Sequence, residues 1–398
     1  MIITRRGSEM DGIVIIVAFL GLLAAGYAES VQHARRIASI RIRVNVNGTR
    51  GKSTVTRLIA AGLRQAGIRT VAKTTGTAPR LILPDGSEEE IRRRGRARIS
   101  EHVKIAKRAA SEKAEALVVE CMALEAENQR VYEHRLVRST IGVMTNIRPD
   151  HLDVMGPGIE DVAKTLAITV PMKAHFVAGD GYGLDVLKAE CARKGTSLHV
   201  AHSSEVSEEE LAGFGYTSFA ENVAIALKVC EIAGVDRKTA FAGMLLAKPD
   251  PGVSPLVEIK AFGRRLMVVN AFAANDVEST KLMWESFAKS RSEGFDRKIL
   301  VISNREDRPQ RVWEMSKLAT ELPVDEVIYI GGMQKLAKLL GRGRGDMAGN
   351  ADADGVLRKI AEYAPEGGSA LVLLAGNTKG AGAELTKLIE GLAGGEGA

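Results

Sequence analysis

The stretch that decides the fold of this chain reads Val46-Asn47-Gly48-Thr49-Arg50-Gly51-Lys52-Ser53-Thr54. From Ile40 to Val46 apolar and polar residues alternate as they do in a β-strand, and from Val55 to Leu63 apolar residues recur at helical spacing. A glycine-rich turn between a strand and a helix lets backbone N–H groups point at a phosphate, close to the positive end of the helix. The stretch therefore predicts a nucleotide-binding loop.

The residue types in this loop match separate tasks in the binding of ATP and Mg²⁺. The amine of Lys52 can reach the β- and γ-phosphates, and the hydroxyl of Ser53 can ligate Mg²⁺. The regular phosphate-loop pattern has a further glycine where this chain has Val46, so the match is to the shorter form Gly-Thr-x-Gly-Lys-Ser/Thr. The predicted nucleotide contacts are Gly48, Thr49, Arg50, Gly51, Lys52, Ser53 and Thr54.

The composition narrows the class of protein. With 398 residues, of which 45% are hydrophobic, the chain is long enough for more than one domain with its own core. The modest net charge of +6 is compatible with an acidic small molecule or an anionic lipid surface. Because aromatic residues make up only 4% and no base-stacking motif is present, we expect no nucleic-acid partner. The 3 scattered cysteines lack metal-ligand or disulfide spacing and indicate a reducing compartment.

An N-terminal segment from Gly12 to Ala28 contains no charged residue and is just long enough to span a bilayer. A cleaved signal peptide and a buried helix are the rival interpretations. The nucleotide-binding loop soon after the segment argues against export, because ATP is cytosolic. Arginines are more numerous after the segment than before it, which favours a cytoplasmic location for the remainder of the chain. We therefore predict a single-pass membrane anchor with cytoplasmic catalytic domains.

Past this segment, strand-like and helix-like stretches alternate, which predicts an α/β fold built around parallel sheets. Ala116 to Val119 is followed by Glu120, and Ile141 to Thr145 is followed by Asn146. Ligands of such sheets collect at the carboxyl ends of the strands, where these polar residues fall.

A second domain, of the Rossmann-like type, is predicted by four later strand-like runs, Leu266 to Val269, Ile299 to Ile302, Val327 to Ile330 and Leu371 to Leu374. Before them, Pro249, Pro251 and Pro255 exclude a helix or a central strand and indicate a linker. The predicted division is an anchor at 1–32, a central ATP-binding domain at 33–248, a linker at 249–256 and a C-terminal domain at 257–398.

A second polar block after a strand reads Thr145-Asn146-Ile147-Arg148-Pro149-Asp150-His151-Leu152-Asp153. Together with Glu120 it offers a carboxylate and, at His151, an imidazole for divalent ions that bridge phosphates and an acyl group. The alternative is a surface glutamate and a packed histidine. Asp150 and Asp153 are better explained as turn and helix-cap residues.

The nucleotide loop, the strand-ending Glu120, the second polar block and the C-terminal domain together resemble the Mur ligase superfamily of ATP-dependent amide-bond formers, which includes folylpolyglutamate synthase. Longer runs resemble the ligase subunit of poly-γ-glutamate synthase, the CapB or PgsB type, whose members also begin with a membrane-spanning helix. Those runs are Val44 to Leu58, Lys73 to Thr77, Val119 to Ala123, Asp150 to Pro157 and Asn270 to Asp276. The implied fold is a Mur-ligase-like central P-loop ATPase domain and a C-terminal Rossmann-like domain, preceded by a transmembrane helix.

The resemblance also implies a reaction. The terminal carboxylate of glutamate or of a growing poly-γ-glutamate chain attacks the γ-phosphate of ATP, and the amino group of the next glutamate displaces phosphate from the acyl phosphate. Lys52 would hold the phosphates, and Ser53 with Glu120 would hold a first Mg²⁺. His151 would serve a second metal ion. Asn222 would contact adenine, for which a simple helix-start residue is the alternative.

In the C-terminal domain, residues that follow strands would close over the nucleotide and the incoming amino acid. Asn270 is assigned to the nucleotide, and Asn275 to glutamate. Arg305 and Arg308 suit recognition of a carboxylate, because a guanidinium binds two oxygens at once. Exposed loop arginines are the alternative interpretation.

The implied partners are glutamate, the poly-γ-glutamate chain and small multi-spanning membrane subunits of a synthase complex, and a homo-oligomer is compatible with them. Two other functions stay open, a folylpolyglutamate-synthase-like ligase acting on a small molecule and a membrane-tethered nucleotide-binding switch. The anchor argues against the first, and Glu120 with His151 argues against the second.

Two further features are left open by the sequence. The basic cluster from Arg92 to Arg98 is explained equally by a solvated loop, by binding of a polyanionic product and by contact with anionic headgroups. Lys164 is the nearest candidate for the carbamylated lysine of cell-wall ligases, and it is not included in the predicted site.

Overall fold

The computed structural model describes residues 3–75, 79–93, 98–214, 219–249, 257–272, 277–285 except 279 and 282, 294–377 and 379–393, with side chains from residue 14 onward except that of residue 212. The chain divides into two compact units, Met1–Gly213 with Ser218–Lys248 and Phe214–Thr217 with Pro249–Ala398. The predicted linker lies outside the described residues apart from Pro249, and the predicted four-part division of the chain stays a prediction.

The first unit is built on an eight-stranded sheet in the order β4-β3-β2-β5-β1-β6-β7-β8. All neighbouring strands run parallel except at β3, which is antiparallel to both of its neighbours. The sheet is therefore mixed, whereas the sequence predicted parallel pairing. The strands are β1 (Ile42–Asn47), β2 (Thr70–Lys73), β3 (Arg80–Ile82), β4 (Glu88–Glu90), β5 (Ala116–Glu120), β6 (Ile141–Met144), β7 (His175–Gly179) and β8 (Ser197–Ala201).

Helices cover the faces of this sheet. They are α1 (Ile3–Ser39), α2 (Lys52–Gln65), α3 (Glu101–Ser111), α4 (Ala126–Val131), α5 (Leu152–Met155), α6 (Ile159–Ala167), α7 (Leu184–Lys194), α8 (Glu208–Ala212), α9 (Ala220–Ile232) and α10 (Arg237–Leu245), with a π-helix at Tyr132–Val137 and a 3₁₀ turn at Ser203–Glu205.

Strand β1 is buried on both faces, although its sequence alternates like a half-exposed strand. The polar members of the alternation, Asn45 and Asn47, are 1% and 2% exposed. Inside the protein, Asn45 Nδ2 donates to Glu133 Oε2 at 2.8 Å and Asn47 Nδ2 donates to Gln129 Oε1 at 3.0 Å, whereas Asn45 Oδ1 has no partner among the described residues. Burial raises the pKa of Glu133 above its usual value. A polar network therefore replaces solvent on one face of the central strand.

Helix α1 has two different halves. Among the described residues it is the single helix long and apolar enough to cross a membrane, with a candidate span of Val14–Ser39 and a mean hydropathy of 2.0. Every described side chain before residue 31 is exposed. Beyond that point His33 and Ile37 are 5% and 1% exposed, because they pack into the core of the first unit. The predicted apolar segment therefore lies in the half that the protein does not cover.

The second unit contains a six-stranded sheet in the order β13-β12-β11-β14-β10-β9, parallel except for the β9–β10 pair. All four strand-like runs predicted for this region are strands. The strands are β9 (Val257–Ala261), β10 (Arg264–Asn270), β11 (Arg297–Asn304), β12 (Glu326–Gly331), β13 (Asp346–Met347) and β14 (Ser369–Gly376). Its helices include α11 (Pro309–Ser316), α12 (Leu318–Glu321), α13 (Gln334–Leu340), α14 (Ala353–Tyr363) and α15 (Ala381–Ala393).

Candidate active site

Three neighbouring strands bring the predicted site residues of the first unit together. Strand β1 lies between β5 and β6, with Val46 opposite Glu120 and Asn47 opposite Met144. The nucleotide loop follows β1, Glu120 ends β5, and the second polar block follows β6. These segments therefore meet at one place, which we call the catalytic edge: the carboxyl ends of β5, β1 and β6.

The nucleotide loop requires glycine at two positions, because of the backbone conformation there and because a side chain would not fit. Gly48 and Gly51 have φ values of +133° and +79°, which L-residues with a side chain rarely adopt. A Cβ at Gly48 would collide with Thr145 Oγ1, and a Cβ at Gly51 would lie 2.6 Å from Asn222 Oδ1. The absence of side chains thus lets the loop fit between the polar block and helix α9.

Lys52 is the first residue of α2 and folds back over the loop. Its Nζ donates to the carbonyl oxygens of Gly48 at 2.6 Å and Thr49 at 3.1 Å. Burial lowers the pKa of the Lys52 amine, and the nearby Glu120 carboxylate opposes that effect. The amine is thus held at the centre of the turn, where the loop would surround a phosphate.

Ser53 and Glu120 are in direct contact at the catalytic edge. Ser53 Oγ donates to Glu120 Oε2 at 2.8 Å, and the backbone N–H of Thr75 donates to the same oxygen at 2.7 Å. Glu120 is 4% exposed. A hydroxyl and a carboxylate are hard oxygen ligands of the kind that Mg²⁺ prefers, so the pair fits a divalent cation beside the nucleotide loop.

The second polar block is hydrogen-bonded to the nucleotide loop. Asn146 Oδ1 accepts from Thr49 Oγ1 at 2.7 Å and from the Arg50 N–H at 3.0 Å. The Arg148 N–H donates to Thr49 Oγ1 at 3.1 Å. Asn146 therefore fixes the shape of the loop, a role that the sequence analysis did not assign to it.

Asp150 links the block to the loop a second time. Its Oδ2 lies 3.5 Å from Arg50 Nη2, and its Oδ1 lies 3.9 Å from His151 Nε2. His151 has a left-handed backbone with φ of +47°, precedes α5, and has a side chain that is 49% exposed. Within the part of the chain that the structure describes, no three His, Cys, Asp or Glu side chains form a group that could hold a metal ion. A metal contact by His151 stays a prediction.

Asn222 lies in the first turn of α9, 5% exposed, with its amide against Gly51. Its neighbour Glu221 lies 3.9 Å from Arg148 Nη2, and burial raises the pKa of the Glu221 carboxyl. Asn222 thus lies at the start of a helix and also beside the nucleotide loop, and its contact with adenine stays a prediction. Lys164, by contrast, pairs with Glu160 at 3.1 Å on an exposed helix surface.

Lys73 is a buried cation at this edge to which the sequence analysis gave no role. It ends β2, the strand beside β5, and its side chain is 0% exposed. Its Nζ lies 4.0 Å from Met122 Sδ, and within the described ranges it forms no salt bridge. Burial lowers its pKa to about 8, although Glu101 and Glu120 oppose the shift. Its place in a resemblance motif was the only sequence signal for it.

In the second unit the predicted site residues also follow strands. The contacts of Asn270 and Arg305 described here are with residues of that unit itself. Asn270 ends β10, and its Nδ2 donates to Thr386 Oγ1 at 3.2 Å. Arg305 forms a bidentate pair with Asp307, at 2.9 and 2.6 Å. Arg308 is exposed and precedes α11. Asn275 lies outside the described residues.

Asn304, directly before Arg305, is a buried polar residue of this unit. It ends β11 and is 3% exposed, yet neither its Nδ2 nor its Oδ1 has a hydrogen-bond partner among the residues described. Buried amides are normally paired, so an unpaired one at a strand end marks a position that a ligand can complete.

Family models match both units. Residues 256–392 match the model described as the poly-gamma-glutamate synthase CapB C-terminal domain, and residues 46–225 match the Mur ligase middle domain. The chain is 36% identical over 342 residues to the capsule biosynthesis protein CapB of Bacillus anthracis. The aligned region covers 83% of this chain and 73% of that protein. It is 35% identical over 320 residues to the PGA synthase CapB of Bacillus subtilis (strain 168), over 80% of this chain and 81% of that protein.

Solved structures share the fold. The bifunctional folylpolyglutamate synthase/dihydrofolate synthase of Yersinia pestis, complexed with AMPPNP and a Mn ion, matches with a TM-score of 0.65 and 16% identity, over 91% of this chain and 93% of that chain. Folylpolyglutamate synthase of Thermotoga maritima matches with a TM-score of 0.61 and 14% identity, over 95% and 97%. The predicted Mur-ligase-like α/β fold is confirmed.

Proposed function

Because the chain belongs to the CapB family of poly-γ-glutamate synthases and is a Mur-type, ATP-dependent amide ligase, we propose that it lengthens poly-γ-glutamate by one glutamate per turnover. The observation that supports this most directly is the 2.8 Å contact between Ser53 and Glu120 beside Lys52. Phosphoryl transfer needs a divalent ion beside the phosphate loop, and this pair supplies a hydroxyl and a carboxylate that can hold one.

The proposed reaction has two steps. The terminal carboxylate of the acceptor attacks the γ-phosphorus of ATP, the bond to ADP breaks, and an acyl phosphate forms. The amino group of the incoming glutamate then attacks the acyl carbon, the bond to phosphate breaks, and the amine loses a proton as the amide forms. Phosphoryl transfer depends chiefly on position and charge, so the chain's task is to align the reactants and neutralise the phosphates.

Each residue at the catalytic edge has a proposed part in this alignment. The Lys52 amine leaves the carbonyl oxygens of Gly48 and Thr49 and pairs with the β- and γ-phosphates. The N–H groups from Gly48 to Thr54 surround the phosphates, and Asn222 contacts the adenine end. Asn146 keeps the loop in its binding shape through its bonds to Thr49 and Arg50.

We assign a divalent cation, Mg²⁺, to Ser53 and Glu120, with His151 as a ligand of a second ion. Such an ion would supply positive charge that neutralises the phosphates during transfer. The Thr75 N–H holds the Glu120 carboxylate in place at 2.7 Å. In the second unit, Arg305, Arg308 and Asn275 are proposed to bind glutamate carboxylates, and Asn270 the nucleotide.

The proposed location is the cell membrane, with α1 as a single span and both units in the cytoplasm. The exposed apolar half of α1 supports the span, and the arginines that come after it support the orientation. The proposed partners are glutamate, the growing chain and small multi-spanning subunits of a synthase complex.

The test is an assay of membranes that contain the full chain. They are incubated with ATP, Mg²⁺ and radiolabelled glutamate, and the product is sized and treated with proteases that cleave only α-peptide bonds. We expect a protease-resistant glutamate polymer and one ADP per residue added. Membranes with the Lys52→Ala variant are the inactive control, and those with Lys104→Ala, an exposed lysine of α3, are the matched active control.

Other outcomes would contradict the proposal. If label enters only an added pteroate-type acceptor, lengthened by a single glutamate, the chain is a small-molecule ligase. If ATP binds but no amide forms with any acceptor, the nucleotide-switch interpretation is favoured.

A further inference from the structure

A cavity of about 670 Å³ lies at the end of the first sheet opposite the catalytic edge. Its lining includes Arg43 near the start of β1, Arg138 shortly before β6 and Lys173 shortly before β7. We call it the amino-edge cavity, because these three strands begin beside it. Its volume is in the range of cavities that bind a ligand.

The amino-edge cavity contains three positive charges. Within the part of the chain that the structure describes, Arg43, Arg138 and Lys173 form no salt bridge with a carboxylate. The Arg43 guanidinium is held by backbone carbonyls, because its Nε donates to Arg138 O at 2.8 Å and its Nη1 donates to Ile40 O at 2.5 Å. Burial lowers the pKa of Arg43, and the nearby charge of Arg138 lowers it further. Like charges held close together in this way favour an anionic ligand.

Glu133 supplies the one carboxyl among the described lining residues, and it is directed into the protein. Its Oε1 accepts from the Ser139 N–H at 2.9 Å and from Ser139 Oγ at 2.8 Å, and its Oε2 accepts from Asn45 Nδ2 at 2.8 Å. The residue is 1% exposed, and its attraction for Arg43 has less effect on that guanidinium than burial or Arg138. Glu133 therefore leaves the cavity open to a negatively charged ligand.

The backbone at the cavity is also unusual. Arg138 and Lys173 are both exposed and both have left-handed backbones, with φ values of +51° and +50°. Residues with a side chain rarely adopt this conformation, and folds retain it most often where a function requires it. The two cations are thus held at the cavity by backbone that is unfavourable in itself.

The arrangement of the charges favours an extended ligand over one small ion. Arg43, Arg138 and Lys173 belong to three separate segments around the cavity. A chain that carries a carboxylate on every residue can pair with several of them at once, and each additional contact raises affinity without a second association step. A polymer of γ-linked glutamate has this chemistry.

We propose that the amino-edge cavity binds the poly-γ-glutamate product behind its growing end. The proposal rests on the proposed function, which supplies the polycarboxylate. At about 3.3 Å per residue, β1 rises about 16 Å from Ile42 to Asn47, so a polymer of more than about five extended residues is long enough to cover the height of the sheet. A product held at the cavity stays on the enzyme between additions and receives several glutamates before it is released.

The first experiment measures binding of the polymer without ATP. The probe is a fluorescein-labelled, γ-linked oligomer of about twenty glutamates, long enough to reach the cavity from the catalytic edge. It is titrated with the full-length protein in micelles of a non-ionic detergent, and fluorescence anisotropy gives the Kd. The variant combines Arg138→Glu and Lys173→Glu, and the matched control combines Lys104→Glu and Lys107→Glu, which change the net charge equally on the exposed side of α3. Arg43 is left unchanged because it bonds to backbone carbonyls.

We expect Kd to rise at least about tenfold in the Arg138–Lys173 variant, the scale of losing two ion pairs and adding repulsion, and to stay unchanged in the α3 control. Arg138→Gln with Lys173→Gln should give a smaller rise, and it replaces the charge reversal if that variant does not fold. An equal rise in the α3 control would show attraction to overall charge and overturn the proposal. Displacement of the oligomer by inorganic phosphate, at an ionic strength where chloride leaves it bound, would identify a phosphate site and also overturn it.

The second experiment separates this proposal from the proposed function. With a γ-glutamyl dimer as acceptor, the Arg138–Lys173 variant should add the first glutamate at the wild-type rate, because the dimer is too short to reach the cavity. With unlimited glutamate, the same variant should make shorter polymers than the wild type. Polymers of wild-type length would overturn the proposed role of the cavity. Oligomer binding as expected, together with a wild-type protein that forms no amide, would refute the proposed function alone.

Discussion

The carboxyl-terminal edges of the two sheets differ in how their polar side chains are satisfied. At the first edge, Ser53 donates to Glu120, and Asn47 at the end of β1 bonds to Gln129 and Thr169. At the second, the amide of Asn304 at the end of β11 has no partner among the described residues. An edge whose groups pair with one another has its geometry set before a ligand arrives, whereas an edge with a buried, unpaired amide is completed by its ligand.

The energies make this difference meaningful. A buried polar group without a partner costs about 1–3 kcal/mol, while each bond that is made contributes about 1 kcal/mol. A fold keeps such a cost chiefly at positions that function requires. The first edge is thus stable as it stands, and the second retains an unfavourable group that binding can satisfy.

The largest expected effect concerns Lys52 at the catalytic edge. Lys52→Ala removes the charge that neutralises the phosphates, and we expect kcat/KM for ATP-dependent amide formation to fall at least about 10³-fold, the scale of losing one preorganised charge contact in an active site. The thermal midpoint should change little, because the hydrogen bonds of Lys52 within the described residues go to carbonyls of its own loop. Half of the wild-type rate in the variant would remove Lys52 from the proposed site.

The next effect compares the two asparagines. Asn47→Leu breaks bonds to Gln129, Thr169 and the Gly48 N–H, so we expect the free energy of unfolding to fall by about 3 kcal/mol. Asn304→Leu breaks no side-chain hydrogen bond to a described residue, so it should leave the unfolding free energy of its unit unchanged or slightly higher, while ligase activity falls. Denaturant titration measures the free energy of unfolding, and a glutamate-dependent rate assay measures the ligase activity. Equal destabilisation by both changes would show that Asn304 has a structural partner.

Lys73 is the exception within the first edge, because it is a buried cation without a salt bridge among the described residues. Its pKa is lowered from 10.5 to about 8 by burial. Below about pH 8 the folded protein bears the full cost of the charged amine, and stability should rise with pH between the folded and unfolded pKa values. Lys73→Met should therefore stabilise the protein at neutral pH by on the order of 2 kcal/mol.

Lys73→Met should also change activity. We expect the ligase activity to fall although the stability of the protein rises. The expected loss of activity would follow from removal of the positive charge that interacts with the Glu120 carboxylate. Lys73→Arg, which keeps a charge, is the control. A variant that is both less stable and fully active would make Lys73 a purely structural residue. Thermal unfolding from pH 7 to pH 10 measures the stability, and the polymer assay measures the ligase activity.

The smallest expected effect concerns the metal ion. Glu120→Gln keeps an oxygen that can accept from the Thr75 N–H but loses the negative charge. We expect the Mg²⁺ concentration for half-maximal activity to rise about tenfold, the lower end of what lost metal-site partners cost. An unchanged Mg²⁺ titration would return Glu120 to a structural role.

Much of the first edge could be predicted from local sequence. Glycines at Gly48 and Gly51 indicated the loop, and a glutamate and an asparagine directly after apolar runs indicated strand ends. The burial of Asn45 and Asn47 could not be predicted, because alternation looks the same whether the polar face meets water or a hydrogen-bonding helix. The place of Asn304 after an apolar run could be read from the sequence, but its lack of a hydrogen-bond partner among the described residues could not, because that is a property of its surroundings.

By itself, the sequence determined the nucleotide loop, the apolar segment and the strands β1, β5, β6, β10, β11, β12 and β14, because each depends on residues within a few positions of one another. The tertiary structure alone decided that Glu120 meets Ser53, that Asn146 holds Thr49 and Arg50, and that α1 lies beside α3. Those contacts depend on strand order and helix packing, which are set by burial of apolar surface between segments far apart in the chain and leave no periodicity in the sequence.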